Sequence, residues 1–222
     1  MGLAVGDLDG DLDLDLFVTN LDEESNTLYR NDGDWFSDAT GPAGLAAPSR
    51  PFVGFGVVAD DFNLDGSLDL AVLNGHIIHN IERFKDGRSW AQPVTLYLGS
   101  ERGRFETADL GPLSTQRLVG RGLLAGDLDE DGDRDLILLQ CGRAPHVWLN
   151  ASNPQPGRVA GPPIENAGAP EQLHGAWRAT LSDGSVRLLQ GPGAVSYYAS
   201  SLDLPLLAVP DGLSVESWEA IR

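Results

Sequence analysis

Three nine-residue stretches carry oxygen-bearing side chains at every second position, and each runs directly into an apolar segment. The first holds Asp7, Asp9, Asp11, Asp13 and Asp15; the second Asp61, Asn63, Asp65, Ser67 and Asp69; the third Asp127, Asp129, Asp131, Asp133 and Asp135. Alternate residues of a loop wound around an ion point inward, so these side chains form a cage of hard oxygen donors suited to Ca²⁺. Glycine at the sixth place, Gly66 and Gly132, permits the sharp reversal, and a backbone carbonyl near the seventh can join before the ninth carboxylate closes the sphere. Up to three calcium ions are expected. The first loop has Leu12 where glycine is wanted, and Gly10 two places early, so its site is expected to be strained. The competing reading of each loop is a solvated acidic turn, in which carboxylates this close repel one another and some pKa values rise.

An EF-hand does not fit. Its twelfth position requires a bidentate glutamate, where the third loop has Leu138, and helices on both sides. Leu16–Asn20, Leu70–Asn74 and Leu136–Leu139 read instead as buried strands. Around the second loop a whole unit is legible. Val53–Ala59 enters, Leu70–Asn74 returns, Val94–Gly99 makes a third strand and Arg104–Glu106 a short fourth, an up-and-down meander. The loops start 54 and 66 residues apart, the longer interval containing the insertion Gly75–Gln92. Small antiparallel sheets at such a period are the units of a β-propeller. The expected fold is therefore all-β: three propeller blades, over about 1–48, 49–110 and 111–153, then a small β-rich domain at 173–222. Radial packing predicts that Leu70–Leu73 and Leu136–Leu139 are buried on both faces. Three blades do not close a ring, which points to an amino-terminally incomplete propeller or an arc completed by another chain.

Of the 33 acidic residues, fifteen lie in the three loops and the adjoining Asp60, so much of the net charge of −18 is concentrated where cations are expected. Lys85 and scattered arginines form no basic run, which excludes nucleic acid as a partner. No apolar run approaches the ~18 residues that span a bilayer. Cys141 is the single cysteine, expected to be a buried, inert thiol at a strand end. No charged leader or cleavage site precedes the first loop, which suits a cytosolic chain or a fragment whose leader is lost.

The loops and Val53-Gly54-Phe55-Gly56 resemble the FG-GAP or VCBS-type repeat. Leu28–Gly33, Phe36–Thr40 with Gly44-Leu45, and Asn74-Gly75-His76-Ile77 are similar to the cartilage acidic protein family. That resemblance implies a calcium-binding propeller followed by an ASPIC/UnbV domain, in an extracellular, periplasmic or cell-surface setting. Five prolines between Pro154 and Pro170 mark a linker over 154–172. Beyond it, Gly175–Leu181, the turn at Asp183-Gly184 and Ser185–Leu189 read as a hairpin. Tyr197–Ser201 is similar to the ASPIC/UnbV aromatic-serine segment, while Leu204–Val209 departs from it.

Catalytic motifs are missing. No Gly-x-Ser-x-Gly elbow or phosphate loop is present, and His76 and His79 lack the glutamate of a zinc protease and read as loop structure rather than a metal pair. Tyr29, Tyr97 and Trp148 fall at equivalent places, which favours inter-blade packing over a sugar platform. Asn150-Ala151-Ser152 matches a glycosylation acceptor. The expected function is a non-enzymatic, calcium-stabilised interaction module for a protein or glycan, with Phe84 and Trp90 of the insertion as its contact surface. The alternative, a calcium-dependent polysaccharide lyase or hydrolase, requires a general acid or base in a cleft.

Overall fold

The computed structural model describes residues 1–152, 159–160, 176–190, 207–210 and 212–221. Its described elements are nearly all β-strands, arranged as separate antiparallel sheets. The first sheet is a meander of β1 (Leu3–Gly6), β2 (Asp15–Val18), β3 (Thr27–Asn31) and β4 (Phe36–Asp38). The second repeats it with β5 (Gly54–Asp60), β6 (Asp69–Gly75), β7 (Ala91–Leu98) and β8 (Glu106–Thr107). The third has β9 (Gly120–Gly126), β10 (Asp135–Gln140) and β11 (His146–Trp148). Each acidic loop joins the first two strands of its sheet, as the sequence predicts. Strand ends differ in detail: the fourth strand of the second sheet starts at Glu106, because Phe105 turns into the core between sheets one and two.

The register is equivalent at the centre of the three sheets. Leu16 pairs with Val5 and Tyr29, Leu70 with Ala59 and Tyr97, and Leu136 with Ala125 and Trp148. The next residue of each middle strand points to the other face: Phe17 pairs with Ala4 and Leu28, Ala71 with Val58 and Leu96, and Ile137 with Leu124 and Val147. Alternation places Ala4, Phe17 and Leu28 against Leu70, Val72 and Tyr97 in one core, and Val58, Ala71 and Leu73 against Leu123, Leu136 and Leu138 in a second. Burying side chains such as Phe17 and Leu138 completely stabilises the stack by about 2 kcal/mol each.

Close approaches account for the glycines around Phe55: Gly54 lies against the Thr19 side chain, and Gly56 against the backbone of the next entry strand. A Cβ on Gly56 would sit 2.6 Å from the Leu123 nitrogen. Away from the acidic loops, polar bridges join the sheets. Lys85 and Arg88 reach Asp22 at 2.7 and 3.2 Å, and Arg121 donates to the Gly75 and His76 carbonyls, both at 3.0 Å. Burial alone would raise the Asp22 carboxyl, but the hydrogen bonds from Lys85 and Arg88 hold it below the usual range.

Two expectations fail here. β6 is buried throughout, whereas in β10 Ile137 and Leu139 are only half-buried, because among the described residues the third sheet has a neighbouring sheet on one face only. Cys141 is exposed, since β10 ends at Gln140 and the cysteine falls in the turn containing Gly142.

Beyond residue 152, β12 (Val159–Ala160) pairs with β15 (Leu207–Ala208). β13 (Ala176–Leu181) and β14 (Val186–Gln190) form the expected hairpin around Asp183-Gly184, and β16 (Val215–Ile221) joins on the other side of β13. Ala179, Leu181, Leu189, Leu207 and Val209 are its core. Tyr197–Ser201 and most of the proline-rich stretch lie outside the described residues. The helical elements among the described residues are α1 (Ala46–Ser49), α2 (Pro112–Thr115) and a 3₁₀ turn at Ile81–Arg83.

Candidate metal centre

The acidic loops share one internal hydrogen-bond scheme. The first carboxylate accepts N–H groups from farther along its own loop: Asp7 from Gly10 and Leu12, Asp61 from Asp65 and Gly66, Asp127 from Asp131 and Gly132. The fifth accepts from the seventh residue, at 2.9 Å for Asp11, 2.8 Å for Asp65 and 3.2 Å for Asp131. The ninth carboxylate, buried in each sheet, accepts the N–H of the second residue: Leu8 to Asp15 at 2.9 Å, Phe62 to Asp69 at 3.0 Å, Leu128 to Asp135 at 2.7 Å. Its other oxygen accepts the N–H of a residue closing the third strand, Asn31, Gly99 or Asn150, at 2.8 Å in all three sheets. The ninth aspartate therefore ties the loop to the sheet, and each oxygen keeps a lone pair for a cation.

Two residues per loop adopt left-handed backbone conformations. At the sixth place these are Leu12 (φ 74°), Gly66 (φ 91°) and Gly132 (φ 95°), so the strain expected at Leu12 is present. The fourth place is left-handed as well: Gly10 (φ 79°), Leu64 (φ 60°) and Glu130 (φ 61°). Gly10 thus fills a position whose backbone favours glycine, although Leu64 and Glu130 adopt the same conformation in the other two loops.

Carboxylate oxygens of Asp7, Asp9 and Asp15 lie within 4.8 Å of one another, and so do those of Asp127, Asp129 and Asp135. Oxygens bound to one Ca²⁺ at about 2.3–2.6 Å stand at most about 5.2 Å apart, so both sets fit a single ion. The second loop has an amide at its third place, Asn63, whose Nδ2 donates to Asp65 at 2.9 Å, leaving Asp61, Asp65 and Asp69 as its carboxylates. Asp11, Asp13, Asp65 and Asp131 are exposed, Ser67 is half-buried, and the buried Asp133 accepts the Ser152 N–H at 2.9 Å. The seventh carboxylates, Asp13 and Asp133, are not members of the two clusters, and a backbone carbonyl is the donor expected at that place.

Burial and mutual repulsion raise several of the loop carboxylates. Burial pushes Asp15 up to about 6, against the N–H bonds from Asn31 and Leu8, with Asp9 and Asp11 adding to the rise. Burial likewise pushes Asp61 and Asp69 each up to about 7, against N–H bonds from Gly66 and Gly99 respectively, and Asp65 adds to both. Asp7 and Asp9 are raised too, burial being the largest cause. A cation at the centre would reverse this balance.

A family model described as an FG-GAP-like repeat matches residues 7–72, from the first carboxylate to the middle of β6. Residues 7–72 thus resemble an FG-GAP-like repeat. No curated protein matches the chain. The FG-GAP-like segment covers the first loop, the remainder of the first sheet and the second loop. The third loop reproduces its hydrogen bonds, so one local design is used three times.

Sequence reasoning overlooked the partners of the ninth aspartates and the contacts that join neighbouring loops. Arg134, buried, lies 3.2 Å from Asp60 beside the second loop. Asn150 Nδ2 and Ser152 Oγ both donate to the Phe62 carbonyl, at 2.8 and 2.9 Å. The repeated asparagine of Asn31 and Asn150 was the available signal. His76 and His79 are engaged in the insertion's own structure: His76 Nδ1 accepts from Ile78 at 3.0 Å, and His79 packs edge-on against Trp90 at 4.5 Å. Phe84 is 74% exposed on the same insertion. A cavity of about 300 Å³ lies between the first two acidic loops and β14. No helix among the described residues is long and apolar enough to cross a membrane.

Proposed function

We propose that the chain is a calcium-stabilised, propeller-like interaction module that works outside the cell without catalysis. The observation that carries this reading is the convergence of Asp7, Asp9 and Asp15, and of Asp127, Asp129 and Asp135, into sets sized for one ion. Calcium, rather than a softer metal, suits donors that are all oxygen and offer neither imidazole nor thiolate. Asp61, Asp65 and Asp69 with Asn63 would hold a third ion. When bound, the ion supplies charge neutralisation: it removes the repulsion among buried carboxylates and fixes each hairpin bend to its sheet.

In this reading the stacked sheets are propeller blades, residues 173–222 are a separate small domain of ASPIC/UnbV type, and the exposed insertion carrying Phe84 presents itself to a protein or glycan. The carboxylates lining the cavity all have partners, Asp7 and Asp61 in N–H groups of their own loops, Asp60 in Arg134 and Glu101 in Arg187, which argues against their serving as a general acid or base. Thermal unfolding in calcium and in chelator tests the proposal. A melting temperature that climbs with free calcium supports it, and identical curves refute it. Incubation with acidic polysaccharides, followed by ultraviolet absorbance, tests the absence of lyase activity.

A further inference from the structure

The two outer faces of the sheet stack are equivalent, position for position, to the faces already packed inside it. In the first and second sheets the rows Ala4–Phe17–Leu28 and Val58–Ala71–Leu96 pack on the following sheet. The matching row of the third, Leu124–Ile137–Val147, has no sheet against it among the described residues, and Val147 is 57% exposed. The second residue of each acidic loop repeats the pattern. Leu8 and Phe62 are buried between sheets, at 3% and 6% exposure, while Leu128 is 43% exposed.

At the other end, Leu70 and Tyr97 of the second sheet, and Leu136 and Trp148 of the third, pack on the preceding sheet. Their counterparts in the first sheet are Leu16, half-buried, and Tyr29, 38% exposed, with Leu3 also 44% exposed. β14 approaches β1 at the acidic-loop end and leaves these two exposed.

A polar match accompanies the apolar one. Asn150 of the third sheet donates through Nδ2 to the Phe62 carbonyl of the preceding loop. The first sheet carries Asn31 at the same place, with its backbone N–H on Asp15 as that of Asn150 is on Asp135. Its Nδ2 reaches only the Leu14 carbonyl of its own loop, at 3.3 Å. The carbonyl that corresponds to Phe62 in the third loop is that of Leu128. The first sheet thus holds the donor, and the third the acceptor, of one more junction of the same kind.

We propose that a second copy of this chain docks head to tail, the first sheet of each copy covering Leu124, Ile137 and Val147 of the other, with Asn31 reaching the Leu128 carbonyl. This rests on the propeller-like reading above. Two such contacts close a ring of six sheets, within the range of about four to eight blades that propellers use, whereas three copies would exceed it.

Sedimentation of the full chain in calcium tests this. The expected mass is twice the 23.7 kDa of one chain. Val147→Asp and Tyr29→Lys, on opposite faces, each give a monomer with the wild-type circular dichroism and calcium-dependent melting. Mixing the two variants restores the double mass, because one native junction re-forms and the other pairs lysine with aspartate. A monomeric wild type, as expected if sheets of another chain cover these faces, overturns the proposal; so does a ladder of larger species, or a dimer indifferent to both substitutions. Melting reports on calcium and mass on the docking, so the failure of one is distinguishable from failure of the other.

Discussion

Asn150 donates its side-chain amide to the Phe62 carbonyl at 2.8 Å, while its own N–H is held by Asp135. One residue therefore spans two acidic loops. Asn150→Ala removes the amide bond and leaves the backbone contact, with an expected cost of about 1 kcal/mol. Urea denaturation measures it; a variant as stable as wild type would show that the loops are not joined through this residue.

The ninth and third carboxylates of a loop are expected to behave differently. Asp135 is fully buried and accepts the N–H groups of Leu128 and Asn150, so Asp135→Ala strands two donors and costs about 2–3 kcal/mol even in chelator. Asp129 is exposed, so Asp129→Ala leaves chelator-treated stability nearly unchanged and removes the calcium response of the third loop. Chemical denaturation with and without calcium separates the two effects. Equal losses in chelator would contradict the distinction.

Left-handed backbone at the sixth place gives a paired expectation. Gly66→Ala meets no atom within 4 Å, so its cost of about 1 kcal/mol comes from φ alone. Leu12→Gly relieves comparable strain but adds freedom to the unfolded chain, for a net gain of roughly 0.5 kcal/mol. Melting temperatures moving in opposite directions confirm the pair, and a destabilised Leu12→Gly contradicts it.

The meander, the three loops and the strain at Leu12 were legible because each follows from local chemistry: acidic alternation, β-forming runs and the demand for glycine at a reversal. The half-buried face of β10 was not, since the apolar runs Leu70–Leu73 and Leu136–Leu139 look alike and only the count of neighbouring sheets distinguishes them. Neither were the partners of Asp15, Asp69 and Asp135, because the distance along the chain to the closing residue varies with the length of the hairpin. The left-handed fourth place was hidden too, with Leu64 and Glu130 tolerating a conformation that only Gly10 advertises.

Stability should depend on pH in opposite senses with and without cation. Asp15, Asp61 and Asp69 have folded-state values of about 6, 7 and 7 against an ordinary 3.8, so the folded chain binds protons more tightly than the unfolded one. Their contribution is greatest below pH 4 and is lost as pH rises through about 6 to 7. In chelator the melting temperature falls from pH 5 to pH 7.5. In saturating calcium, protons compete with the ion and the trend flattens or reverses. A chelator-treated melting temperature that rises across this window contradicts the account.

Isothermal titration of calcium into chelator-stripped protein at neutral pH tests the central claim most directly. The account predicts two to three ions bound per chain, with one lost in Asp7→Ala and another in Asp127→Ala. Heats no different from dilution would contradict it.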